Sequence, residues 1–213
     1  MSKAAVGFLH AGEKSREATV AALARRGKER DAVHLVDPKL VDANATEFPI
    51  DESRYAALRA RAEELMERAE RLVLTCSVYN AAASWLCDDL RIRVDRSDAA
   101  GACALLSTAG PVGVLVSYVP TRPVVVDYLS EIFAGAEQAR EIRASLAQDA
   151  PPFSTPDAAY AQALVDALAP LAGCGVLFVT QFTMNAHLEQ IRAAWGKQPV
   201  ISALETTLDA LFA

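Results

Sequence analysis

The chain has 213 residues, enough for one large domain or for two small lobes sharing a cleft. About half of them (52%) are hydrophobic, which supplies ample core. The 27 acidic residues outnumber the 21 basic ones, so the net charge of −6 offers no basic stripe for a nucleic-acid partner. No apolar stretch reaches the roughly 20 residues of a membrane span. The short apolar run after Met1-Ser2-Lys3 is followed by charges, unlike a secretion signal, so a cytoplasmic protein is expected.

Taken in chain order, short apolar runs alternate with helical patterns. A strand is predicted at residues 6–9 (Val-Gly-Phe-Leu), then a helix over 15–26 whose basic end, Arg25-Arg26-Gly27-Lys28, reads as a solvated helix terminus. A strand over 32–36 leads to a helix over 53–70, where Leu58, Ala62, Leu65 and Met66 fall on one face. Strands follow at 72–75 and 91–94, and Ser97-Asp98 opens a helix over 97–107. The second half runs strand 112–116, helix 125–147, a proline-rich loop at 148–156 and a helix over 157–170 behind Thr155-Pro156-Asp157. A strand at 175–179, a helix over 183–195 and a short strand at 200–201 complete it. Most of the strands are continuously apolar rather than alternating, as in parallel sheets covered on both faces.

The two halves repeat. Val6-Gly7-Phe8-Leu9 recurs as Val112-Gly113-Val114-Leu115, 106 residues later, and Thr75-Cys76-Ser77-Val78-Tyr79-Asn80-Ala81 recurs as Thr180-Gln181-Phe182-Thr183-Met184-Asn185-Ala186, 105 residues later. The repeat predicts an α/β protein of two lobes related by a pseudo-twofold. Each lobe is a mostly parallel sheet flanked by helices, with a cleft between them. The first lobe is assigned residues 1–97 with 200–213, and the second 98–199. Ligands sit at the carboxyl ends of parallel strands, so Cys76 and Gln181 should face each other across the cleft. A helix N-terminus beside each favours an anion and a lower thiol pKa.

The four cysteines, Cys76, Cys87, Cys103 and Cys174, lack zinc-ligand spacing and read as free thiols. Gly7 to Ser15 approximates a phosphate-binding loop, but Glu13 intervenes where a lysine must directly follow the second glycine. Neither a G-x-G-x-x-G nor a G-x-S-x-G motif occurs.

Val36-Asp37-Pro38-Lys39-Leu40, Leu74-Thr75-Cys76-Ser77, Arg93-Val94-Asp95 and Val179-Thr180-Gln181-Phe182-Thr183-Met184, in this order, give the chain a resemblance to the aspartate/glutamate/hydantoin racemase superfamily, which includes maleate isomerase and arylmalonate decarboxylase. The resemblance covers essentially the whole chain. It implies a cleft between two lobes, proton transfer at a carbon next to a carboxylate or carbonyl, and no metal or organic cofactor. Family racemases place one cysteine on each wall. Cys76 matches the first, while Gln181 stands where the second belongs, and an amide has no acid or base function. Three readings follow: an isomerase using Cys76 as its acid/base, a single-thiol lyase of the arylmalonate decarboxylase type, or a protein that only binds a small carboxylate.

Thr75, Ser77 and Asn80 are candidates for holding a substrate carboxylate on one wall, and Gln181, Phe182 and Thr183 for the opposite wall. His10 and the segment Ser117-Tyr118-Val119-Pro120-Thr121 end the first strands of their halves and should reach the cleft. Tyr118 either donates to an enolate or packs a loop, and Asn80 and Asn185 either bind or cap helices. His34 and His187 read as structural. The expected partner is a small-molecule carboxylate, with no nucleic acid and no membrane, and a homodimer or higher homo-oligomer is the plain expectation.

Overall fold

The computed structural model describes residues 3–42, 45–147 and 157–213. The first half contains β1 (Val6–His10), α1 (Glu13–Ala24), β2 (Ala32–Val36) and α2 (Glu52–Met66), followed by β3 (Arg71–Leu74), α3 (Ala83–Leu90), β4 (Arg93–Arg96) and α4 (Ala99–Leu105). The second half contains β5 (Val112–Val116), α5 (Thr121–Gly135), β6 (Ile142–Leu146) and α6 (Asp157–Asp166), followed by β7 (Val176–Val179), α7 (Leu188–Trp195), β8 (Val200–Ser202) and α8 (Ala203–Phe212). Each half forms a four-stranded sheet, ordered β2-β1-β3-β4 and β6-β5-β7-β8, and every pairing is parallel. The two orders are the same topology, so the sequence repeat is a repeat of structure.

The continuous apolar runs of β1 and β5 are buried along their whole length, because helices cover both sheet faces. Gly7 lets α2 approach β1: a Cβ there would come within 2.8 Å of the Leu65 side chain. Outer helices close a separate core on each lobe, one around Leu58, Leu65, Leu72 and Leu86, the other around Tyr160, Leu164, Leu177 and Ile191. A third core lies between the sheets. There Ala22 and Leu23 of α1, Leu105 of α4, Leu129 of α5 and Leu204 of α8 pack together with Phe8 and Phe178. This shared apolar layer fixes one lobe against the other. Asp51 caps α2 by accepting from the Arg54 amide at 2.8 Å, and Ser202 caps α8 through the Glu205 amide.

Two expectations are corrected. The helix predicted over 125–147 ends at Gly135, and Ile142–Leu146 is instead β6, the edge strand beside β5. Residues 137–145 are good helix formers, but Glu137 takes a left-handed conformation (φ 56) that ends the helix, and pairing with β5 overrides local preference. The segment 200–213, assigned above to the first lobe, belongs to the second. β8 hydrogen-bonds to β7, and α8 follows β8 as α4 follows β4. The loop predicted at 148–156 lies outside the described residues. Among the described residues no helix is long and apolar enough to cross a membrane.

Candidate active site

A cavity of about 510 Å³ opens between the carboxyl ends of the two sheets. One wall is formed by Thr75, Cys76 and Ser77 after β3, by Gly12 to Ser15 at the start of α1, and by Pro38 and Val41 after β2. Tyr118, Thr121, Gln181, Phe182 and Thr183 form the other. The predicted pair of facing strand ends, Cys76 and Gln181, is therefore on one cavity, and Cys76 is the one cysteine among the lining residues.

Cys76 precedes a helical turn (Ser77–Ala82), and its carbonyl accepts from the Tyr79 amide at 3.0 Å. Burial pushes the thiol up to about 12, while the Val78 backbone N–H pulls it the other way. Burial thus outweighs the lowering expected from the helical turn that follows Cys76. Ser77 is buried, and its Oγ has no hydrogen-bond partner among the described residues. A buried hydroxyl of this kind calls for a ligand or solvent atom.

Thr75 and Thr180 play matching parts. The Thr75 hydroxyl donates to the Leu9 carbonyl at 2.9 Å, and the Thr180 hydroxyl donates to the Leu115 carbonyl at 2.8 Å. Both tie the end of the third strand to the first strand of the same sheet. On the far wall, Gln181 Oε1 accepts from the Ser117 backbone amide at 2.7 Å, so the end it can offer the cleft is its amide donor. Behind it, the buried Tyr160 hydroxyl lies 2.8 Å from Ser117 Oγ and 3.3 Å from Thr183 Oγ1. Lys14 reaches from α1 to Asp157 on α6, 2.7 Å away, and bridges the lobes beside the cleft.

Four candidates, Asn80, Asn185, Ser117 and His10, are not among the residues that line the cavity. Asn80 is buried against Ser97: its amide donates to Ser97 Oγ at 3.0 Å, and its carbonyl accepts from the Ser97 amide at 3.2 Å. Asn185 accepts from Ser202 Oγ at 2.9 Å in the equivalent place. Ser117 supports Gln181. His10 is fully buried, with Nδ1 3.1 Å from both Ser15 Oγ and Thr75 Oγ1 and Nε2 3.0 Å from His34 Nδ1. Burial, reinforced by His34 and Arg16, holds His10 well below the usual histidine range. Tyr118 does line the cavity, but its hydroxyl donates to the Asp42 carbonyl at 2.6 Å, which commits its one proton away from an enolate. His187 contacts Gln190 and the Tyr160 ring.

Sequence reasoning named Ser15 and Pro38 only as members of motifs and not as site residues, and it did not mark Val41 or Tyr160. The signal for Ser15 was available: a helix that follows β1 after two residues starts at the same sheet end as Cys76.

No protein-family model matches the chain, and no curated protein matches it. Solved structures do. Glutamate racemase of Bacillus anthracis (an isoform) superposes with a TM-score of 0.76 at 16% identity, covering 98% of this chain and 80% of that one. Aspartate racemase of Picrophilus torridus gives 0.68 at 15% identity, covering 98% and 92%. Allantoin racemase of Pseudomonas fluorescens gives 0.61 at 16% identity, covering 97% and 88%. At these identities the likeness is one of fold. The protein has the two-lobed α/β racemase fold that the ordered motifs implied.

Proposed function

We propose that the protein is an isomerase of small carbon acids in which Cys76 is the acid/base and Gln181 replaces the second thiol. The observation that carries this reading is the position of Cys76, at the end of β3 and on the cavity between the lobes. In the reaction, the Cys76 thiolate takes the proton from the carbon next to a carboxylate or carbonyl. The C–H electron pair moves into that group as an enolate, and a proton then returns to carbon. Ser77 Oγ and the Gln181 amide are hydrogen-bond donors for the developing negative charge, and Lys14, Ser15, Thr121 and Thr183 also line the cavity. Ala11, Pro38, Val41 and Phe182 supply apolar lining, and no arginine lines the cavity among the described residues. These features suit a substrate with one anionic or carbonyl head and a compact apolar substituent.

A second reading is favoured by the burial of Cys76, which pushes its thiol up to about 12 and so favours the acid form. A thiol that starts as an acid is ready to protonate an enolate left by loss of CO2, as a single-thiol decarboxylase requires. Incubation in D2O with amino acids, hydantoins, substituted malonates and maleate-like diacids separates the readings by NMR. The isomerase exchanges or isomerises one of them in a Cys76-dependent way. Release of CO2 with deuterium left in the product supports the lyase. If neither occurs and a ligand still stabilises Cys76→Ala thermally, the protein only binds.

A further inference from the structure

We infer that Ser15, His10 and His34 form a proton path between the cleft and the solvent-facing edge of the first sheet. Its use in turnover rests on the carbon-acid chemistry proposed for Cys76.

The path follows the sheet topology. Phe8 and His10 project from the same face of β1 because strand side chains alternate. Phe8 is the register partner of His34 on β2, the edge strand. The His34 ring packs against both, 5.4 Å from Phe8 and 5.2 Å from His10 centre to centre. Ser15 on the cavity wall therefore connects through the fully buried His10 to the half-buried His34, by contacts of 3.1 and 3.0 Å. Ser15 Oγ also donates to Thr75 Oγ1 at 3.2 Å, next to Cys76. Arg16 is the charge acting on both rings, and burial with Arg16 lowers His34 to about 4. Burial and Arg16 thus favour the neutral form of both imidazoles. Each then holds one N–H and one lone pair, the state that can take a proton at one nitrogen and release it at the other.

The second lobe shows that the fold does not require these groups. At the same register positions it has Val116 on β5 and Ala144 on β6, with the strands paired alike. Among the described residues, an imidazole pair at these positions occurs only in the lobe that carries the thiol.

The proton count closes. After Cys76 has taken the substrate proton, the enolate takes the Ser15 hydroxyl proton from the same wall, which gives exchange with retention at that carbon or isomerisation by return at an adjacent one, and Ser15 takes one from His10 Nδ1. His10 Nε2 then takes the proton of His34 Nδ1, and His34 Nε2 takes one from water. The hydroxide left in solvent is neutralised when the Cys76 thiol gives up its proton before the next turnover. Each histidine then stands in its other neutral tautomer, and the first is restored when the Cys76 proton leaves by the reverse relay, from Ser15 through His10 and His34 to that hydroxide.

The test uses 15N-histidine-labelled protein. His34→Phe keeps the stack but removes both nitrogens, and it should slow solvent exchange of the His10 ring N–H by about tenfold or more. With a substrate found by the D2O screen, the same variant should lower deuterium entry by about 10²-fold at unchanged KM, and added imidazole should restore His34→Ala. His34→Gln, which keeps a polar side chain, replaces His34→Phe if that variant does not fold. Unchanged His10 N–H exchange overturns the path. If no carbon acid reacts with the wild type, the functional reading fails, and the His10 measurement still decides the path.

Discussion

The two lobes share a topology, a strand register and even their local ties. Thr75 and Thr180 bind the equivalent carbonyls of Leu9 and Leu115, and Asn80 with Ser97 is repeated as Asn185 with Ser202. They part where chemistry would occur. The first lobe has Cys76, His10 and His34. The second has Gln181, Val116 and Ala144 at the corresponding places. Its own network of Ser117, Tyr160 and Thr183 is hydroxyl-based, and burial raises Tyr160 further from ionisation. One lobe thus carries a thiol and two imidazoles at these places, while the other carries an amide, hydroxyls and apolar side chains. The fold sets where strand ends meet, and the residues at those ends set what each wall can do.

The largest expected break in this comparison is Cys76→Ala. Loss of the only thiol on the cavity should lower exchange by about 10³-fold, as removal of a general acid/base does. Ligand-induced thermal stabilisation should persist, since Ser77 and the far wall remain. Deuterium exchange near the wild-type rate would move the chemistry away from the first lobe.

The pH dependence is next in size. The Cys76 thiol lies at about 12, so exchange that needs the thiolate should rise about tenfold per pH unit over roughly pH 6 to 10, without a plateau. Proton donation by the thiol, the lyase reading, would stay flat across that range. Initial rates in D2O buffers separate the two slopes. A plateau near the ordinary thiol value of about 8.5 would show that a bound substrate or donor stabilises the thiolate.

Gln181→Ala probes the other wall. It removes one neutral hydrogen bond and leaves Ser117 without its acceptor, so KM should rise about three- to tenfold with a smaller change in kcat. A loss in kcat as large as that of Cys76→Ala would mean that the second lobe takes part in proton transfer.

Much of this contrast was legible before any coordinates. The 105-residue repeat, the apolar strands and the facing of Cys76 by Gln181 depend on patterns that run along the chain. Strand β6 was not legible, because its charged, helix-favouring residues become a strand only by pairing with β5. The last lobe assignment failed for the same reason: Val200 to Ser202 carry no mark of which sheet they join. Side-chain direction was hidden too. Nothing local says that Asn80 turns to Ser97, or that the Tyr118 hydroxyl is spent on Asp42.

The smallest expected effect tests the histidine asymmetry without any substrate. An unfolded histidine binds its proton near pH 6.5, whereas His34 stays neutral to about 4 and His10 lies well below its ordinary value. Between about pH 6.5 and 4, unfolding therefore takes up protons, and stability must fall as pH falls. The carboxylates held low by arginine, Asp37 and Glu141, add to the loss mainly below that window. Urea unfolding at a series of pH values should show His34→Phe losing stability less steeply than the wild type through this window, with the curves converging in slope above about pH 7. Parallel curves would mean that His34 already takes up its proton in the native state. The first lobe would then lose the neutral imidazole that distinguishes it from Ala144 in the second.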